Sequence, residues 1–383
     1  TVKMITGDHR AIAVETCRTL GMGTNVLGAE KLPLLTAQDL EASTTLGRDY
    51  GEMCRQADGF AQVFPEHKYL IVEALRQQGY LVGMTGDGVN DAPALKRSDV
   101  GIAVQGATSA AQAAADIVLT QPGLSTIVTA IVTSRKIFQR MKNFVIYRVA
   151  CTEQLLFFFF ISCIFYHPNE YNADWPSYFA IPVIALVTIT ILNDGTIISV
   201  AYDHVDASIK PEKWDLNILY IVSSAIGMVA LIGSIVLLEL SLDSQSPDGL
   251  WRSMGLPVMT YGEIQTLMYL KISLSDYFSV FNSRTKGWMW SRMPSIVLVG
   301  AFILATTCST FLAVYWPFGN GMQGIEWDLA VYCWLYVIMW AFIQDAAKVV
   351  TYKVLQSIGW VESVKVIDEK ALKRGRDAVL GAL

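Results

Sequence analysis

The stretch Met84-Thr85-Gly86-Asp87-Gly88-Val89-Asn90-Asp91-Ala92-Pro93 decides how the first third of this chain folds. It follows the apolar run Tyr80–Thr85 and precedes a helical pattern, so it reads as the loop between a buried strand and a helix. Two carboxylates four residues apart, just past a strand, form a hard-oxygen site. Magnesium favours such a site, taking one or two carboxylates together with waters and phosphate oxygens. Gly86 and Gly88 permit a tight turn that brings backbone N–H groups up to an anion. Asn90 either caps the following helix or meets phosphate oxygens. A lone Gly-Asp-Gly is usually a plain turn; the whole string in its strand–loop–helix setting points to a site.

The same alternation extends outward. Val2–Thr6 is an apolar run ending in Thr6-Gly7-Asp8, followed by a helical pattern from Arg10 to Leu20 that Gly21 and Gly23 stop. Residues 28–57 are less regular and read as a helix plus a loop. Phe60–Phe64 reads as a strand, and Pro65 opens a helix running to about Gln78. Val100–Val104 and Ile117–Leu119 are further strands around a small-residue helix at 108–115. Strands alternating with helices predict a parallel sheet with crossover helices, with ligands at the carboxyl ends of the strands. Thr6-Gly7-Asp8 and Gly86–Asp91 both fall there. Thr6 offers a hydroxyl and Gly7 an N–H suited to a phosphoryl oxygen, while Asp8 would serve equally well as a helix N-cap. In Phe64-Pro65-Glu66-His67-Lys68 an ammonium stands at a helix start after a strand end. Lys68 could neutralise a transferring phosphoryl group or be a solvated surface lysine.

Beyond about residue 143 the character changes. Of the 383 residues, 53% are hydrophobic and only 16% charged, where soluble domains carry roughly 25% charged residues. Six apolar blocks of the length a membrane helix needs lie at about 144–166, 178–201, 216–239, 264–282, 294–316 and 328–351. The fourth is the least apolar, carrying Lys271 and Asp276. Lys210 and Lys213, then Arg284, Lys286 and Arg292, then seven Lys or Arg from Lys348 onward lie on one side; the other side has only Arg252. That bias predicts a cytoplasmic soluble part and a cytoplasmic tail. The net charge of −5 argues against a nucleic-acid partner. Six Cys without a Cys-x-x-Cys pair exclude a zinc module or a disulfide framework.

Together these strings resemble P-type ATPases, ion pumps built on a haloacid-dehalogenase-like phosphorylation domain. The resemblance includes the stalk Ile137-Phe138-Gln139-Arg140-Met141-Lys142-Asn143. It implies a partial α/β phosphorylation domain at 1–121, a stalk at 122–143, a six-helix membrane domain at 144–352 and a short basic tail at 353–383. It further implies that Thr6, Gly7 and Asp8 meet the phosphoryl group and nucleotide, that Lys68 neutralises, that Asn90 assists, and that Asp87 and Asp91 hold Mg2+, with ATP as substrate. The family phosphorylates an Asp in Asp-Lys-Thr-Gly-Thr, a string these residues do not contain. The expectation is therefore a C-terminal fragment of a longer pump, or else a truncated, non-catalytic membrane subunit that modulates one.

Leu192-Asn193-Asp194-Gly195-Thr196 is similar to the plasma-membrane proton pumps of plants, fungi and protists (type IIIA), as are Val2–Asp8, Asp58-Gly59-Phe60-Ala61 and Pro122-Gly123-Leu124-Ser125. A mid-span carboxylate is by default functional, and the resemblance makes Asp194 the proton acceptor. Plant pumps carry an Arg and fungal pumps a His where this chain has Gln154. Arg148 lies six residues earlier, about 1.7 turns away, and on spacing alone does not replace that residue. Glu153 would pair with Lys271 or face a water-filled cavity, and Asp276 falls where fungal pumps carry Glu. Asp345 and Lys348 form a local helix pair. The implied function is ATP-driven proton export across the plasma membrane. The alternative is a pump for another cation, Ca2+ or Na+, with Glu153, Asp194 and Asp276 as ligands. The implied partners are the lipid bilayer and H+, with self-association left open.

Overall fold

The structure is a computed structural model describing residues 1–34, 44–209, 214–319 and 321–361. Lys210, Lys213, part of the irregular 28–57 stretch and the basic tail beyond residue 361 lie outside the described residues. The chain divides into two compact units, Thr1–Ala130 and Ile131–Leu383.

The first unit is α/β. Its elements are β1 (Met4–Ile5), α1 (Arg10–Thr19), β2 (Val26–Gly28), α2 (Leu46–Gln56), β3 (Gly59–Ala61), α3 (Pro65–Gln77), β4 (Gly83–Gly86), α4 (Ala92–Arg97), β5 (Val100–Ala103), α5 (Ser109–Ala114) and β6 (Ile117–Val118). All described strand pairs are parallel, as expected of strands joined through helices. Among the described residues the strands do not form one sheet. They form two of three strands each, ordered β1-β3-β2 and β4-β5-β6. Helix α3 is buried on more than one face. It gives Leu70, Ile71 and Ala74 to a core with Leu27 and Phe60, and Val72 to a second core with Met84, Leu95 and Ala103. β2 is fully buried yet only three residues long, too short for alternation to be legible.

The second unit is helical. One helix, α6 (Ser125–Phe165), is 41 residues long, about 60 Å at 1.5 Å per residue. It is followed by α7 (Val183–Ile198), extended to Tyr202 by a tighter turn, α8 (Leu216–Leu242), the short α9 (Leu250–Ser253), α10 (Tyr261–Ser283), α11 (Ile296–Val314) and α12 (Trp327–Ser357). Five of these, all but α9 and α10, are long and apolar enough to cross a membrane. Six were expected. The exception, α10, matches the fourth apolar block and is 23 residues long, but 19 of those residues are buried. A helix enclosed by others has no lipid to face. Its sequence can therefore hold Gln265, Lys271, Ser273, Ser275, Asp276 and Asn282, which lower its apolarity without exposing charge.

The ends of these helices are joined by buried charge. The Arg284 guanidinium donates to both oxygens of Asp203, at 2.8 and 3.1 Å, and also to the carbonyls of Arg292 and Met293. Asp203 also accepts from the Ser295 N–H at 3.1 Å, so the pair is saturated. Arg284 had counted only as a loop charge. The Asp345–Lys348 pair forms as expected at 2.6 Å, but both side chains are buried. Asp345 also accepts from the Met289 N–H, and Lys348 also donates to the Asn282 carbonyl.

Candidate functional site

The loop after β4 is folded around Asp91. Its Oδ2 accepts from the N–H groups of Asp87 (3.2 Å) and Gly88 (3.3 Å), and its Oδ1 accepts from Lys68 Nζ at 2.7 Å. A Cβ on Gly86 would lie 2.5 Å from that of Asp91, so only glycine lets the loop close this tightly. Burial works against the Asp91 carboxylate, but the Lys68 ammonium and the two backbone donors outweigh it and hold its pKa below the ordinary carboxylate value. Lys68 is aimed from the first turn of α3, which Pro65 opens and where His67 Nδ1 accepts the Phe64 N–H at 3.3 Å. His67 is buried; burial lowers its pKa against a smaller opposing effect of Glu66.

The sequence-predicted residues are thus brought together only in part. Lys68 meets Asp91 side chain to side chain, and Asp87 meets it through its backbone N–H. Thr6 instead donates to Asp8 Oδ2 at 2.8 Å and accepts from the Asp8 N–H at 3.1 Å, with Gly7 exposed between them. Asp8 does not cap α1: the cap is His9, whose ring accepts from the Ala11 N–H. Nor does the Asn90 side chain cap α4, which starts from Asp91 without a side-chain cap bond; Asn90 is exposed. Asp87 is exposed and Asp91 buried, so the loop offers two carboxylate side chains, the number that magnesium takes beside waters and phosphate oxygens.

In the helical unit Arg148 and Asp194 meet across α6 and α7, with Nη1 2.8 Å from Oδ1. Arg148 thus reaches Asp194 from a position about 1.7 turns before Gln154 because a second helix packs beside it. The Asp194 side chain is 55% exposed and that of Arg148 43%, so the described helices do not enclose the pair. The neighbouring Asn193 turns inward. Its Nδ2 donates to Asp276 Oδ2 at 2.6 Å, both residues being buried. Gln154 is also buried and accepts from Ser275 Oγ at 3.3 Å.

Glu153 does not pair with Lys271. Glu153 Oε1 accepts from Ser224 Oγ at 2.9 Å, and Lys271 Nζ donates to the Ala230 carbonyl at 2.7 Å and to Ser234 Oγ. Gly227 and Ala230 are small, which lets α8 approach closely and brings these hydroxyls and carbonyls within reach before the two charged groups can meet. The carboxylates proposed as a cation ligand set therefore go to three different partners. Among the described residues no group of three or more His, Cys, Asp or Glu is placed to hold a metal. Sequence reasoning missed Asp203, Cys151 and Ser275. The Asp203–Arg284 pair joins residues 81 apart, which no local pattern signals.

No family model matches the chain. Among curated proteins it is similar to probable proton ATPases 1A and 1B of Leishmania donovani, at 46% and 45% identity over 376 residues. Each match covers 93% of this chain and 38% of the relative. It is 40% identical over 370 residues to a probable plasma membrane ATPase of Dictyostelium discoideum, covering 92% of this chain and 33% of that one. The chain thus spans little more than a third of the length of the relatives it matches. Over nearly all of its own length, this chain is similar in sequence to these probable proton and plasma membrane ATPases.

Proposed function

We propose that the chain is part of a P-type pump that couples ATP hydrolysis, through an aspartyl-phosphate intermediate, to proton export across the plasma membrane. The observation that carries this reading is the Arg148–Asp194 pair in the helical unit. A carboxylate that can be drawn onto a guanidinium or released from it can shed or take up one proton. A charged pair facing acyl chains costs several kcal/mol, so we take the face bearing it to meet protein or water in the complete pump. Asn193 fixes the helix beside it by bonding inward to Asp276.

In the first unit, Asp87 and Asp91 would hold Mg2+, which supplies charge neutralisation at a transferring phosphoryl group. Lys68 holds Asp91 ionised and in place, and its ammonium is available to the same phosphoryl oxygens. The Thr6 hydroxyl, at a strand end, is the expected further phosphoryl contact. The phosphorylated Asp belongs to sequence outside these residues. The haloacid-dehalogenase-like fold, the six-span membrane domain including α10, and the cytoplasmic placement of the soluble unit and tail are parts of this reading. They rest on the motif strings and on the one-sided distribution of Lys and Arg. The stalk at 122–143 would transmit the rearrangement that accompanies phosphorylation toward Asp194.

The test uses the complete pump in sealed vesicles. ATP-dependent acidification should persist without sodium or calcium. Asp194→Asn should abolish it while phosphoenzyme still forms. Transport that requires sodium or calcium, or that survives the substitution undiminished, overturns the assignment.

A further inference from the structure

Asp276 is a carboxyl group at 1% exposure, in the middle of a helix that is itself enclosed. Its Oδ2 accepts from Asn193 Nδ2 at 2.6 Å; its Oδ1 is buried and has no hydrogen-bond partner. On the other side of the contact, Asn193 is 5% exposed, and its Oδ1 is also buried without a partner. The two unpartnered atoms belong to the same two groups that already share one hydrogen bond. If Asp276 is ionised, both are pure acceptors and neither can satisfy the other. Each such buried acceptor without a donor is destabilising. A single proton on Asp276 Oδ1 removes both costs, because the acid O–H then donates to the amide carbonyl and closes a two-bond acid–amide ring. Turning the amide over strengthens the argument. Its carbonyl oxygen would then face the carboxyl directly, a contact that forms only if the carboxyl carries a proton.

The surroundings supply no full positive charge in hydrogen-bond contact with this carboxyl. The charged and titratable groups around it are Cys151, Tyr147 and Arg148 on α6, and Lys271 and Tyr277 on its own helix. Arg148 is engaged by Asp194, and Lys271 by the Ala230 carbonyl and Ser234. Cys151 offers only a weak thiol donor. Gln154 places a further buried and unpartnered amide nitrogen on the facing helix α6. This group and Ser275 add polar atoms beside the carboxyl.

We propose that Asp276 and Asn193 form a proton-binding site separate from Asp194, in which Asp276 is held as the un-ionised acid. On loading, a hydronium ion reaching the pocket gives up a proton: its O–H bond breaks, the O–H bond on Asp276 Oδ1 forms, and water is left. Unloading is the reverse and needs only water as acceptor. The site goes beyond the Asp194 reading, since it places a second proton on α10, against the residue that precedes Asp194 on α7.

Infrared spectroscopy of the protein in lipid vesicles tests this without turnover, so its outcome is independent of whether the pump exports protons. At neutral pH the wild type should show a buried carboxylic-acid C=O band that is lost in Asp276→Asn, shifted in Asn193→Ala and unchanged in Glu153→Gln. Asp276→Glu keeps the acid and should displace the band rather than abolish it, which protects the test should Asp276→Asn not fold. A wild-type spectrum without such a band at neutral pH, or a band insensitive to Asn193, overturns the proposal.

Discussion

Lys68 and Asp91 show how much one contact decides. The ammonium satisfies one oxygen of a buried carboxylate whose other oxygen is held by two backbone donors. Lys68→Ala therefore both strips a charge from the phosphoryl site and leaves Asp91 short of a partner. In the complete pump we expect phosphoenzyme formation to slow by on the order of 100-fold, as when one charge-stabilising donor is removed from an active site. Lys68→Arg should recover part of it. Rapid-quench phosphorylation measures both. A rate within twofold of wild type for the alanine variant would place Lys68 outside the site.

At the scale of the element, the start of α3 is a cap built from a neutral imidazole. The lowered pKa of His67 means the folded state binds fewer protons than the unfolded chain. Its contribution is therefore complete above the ordinary histidine value of about 6.5 and is lost as pH falls below it. Asp91 and Glu73 have depressed pKa values, Glu73 chiefly through its hydrogen bond from Arg97. Their contributions persist to lower pH, beginning to fade only as pH approaches the ordinary carboxylate range of about 4. Hydrogen exchange in the α3 peptide should accordingly rise in two stages on acidification, and His67→Gln should remove the first while leaving the second. A single stage in the wild type would contradict this reading.

Across the helical unit the same logic operates over long distances. Arg284 and Asp203 are both about 1% exposed and tie the end of α10 to the segment after α7. Breaking such a pair from one side leaves a buried charge alone, at about 3–5 kcal/mol, whereas replacing both sides costs far less. Arg284→Met should therefore lower the thermal midpoint sharply, and Arg284→Met with Asp203→Leu should regain most of the loss. Differential scanning fluorimetry in detergent separates the two. Additive losses would show that the pair does not act as a unit.

What the sequence determined by itself was whatever is local and periodic. The apolar blocks marked the long helices because a span must be apolar over its whole length. The Met84–Pro93 string marked a strand, a loop and two carboxylates because their spacing is contiguous. Tertiary structure alone decided the rest. The described strands fall into two three-stranded sheets, and one helix serves two cores, neither of which spacing along the chain encodes. The enclosure of α10 follows from its neighbours, so its polar residues look like weak membrane signal until the surroundings are seen. Arg148 reaches Asp194, Lys271 turns away from Glu153, and Asn193 binds Asp276 because contacts between helices depend on rotation and closest approach. Spacing along one chain segment does not encode either.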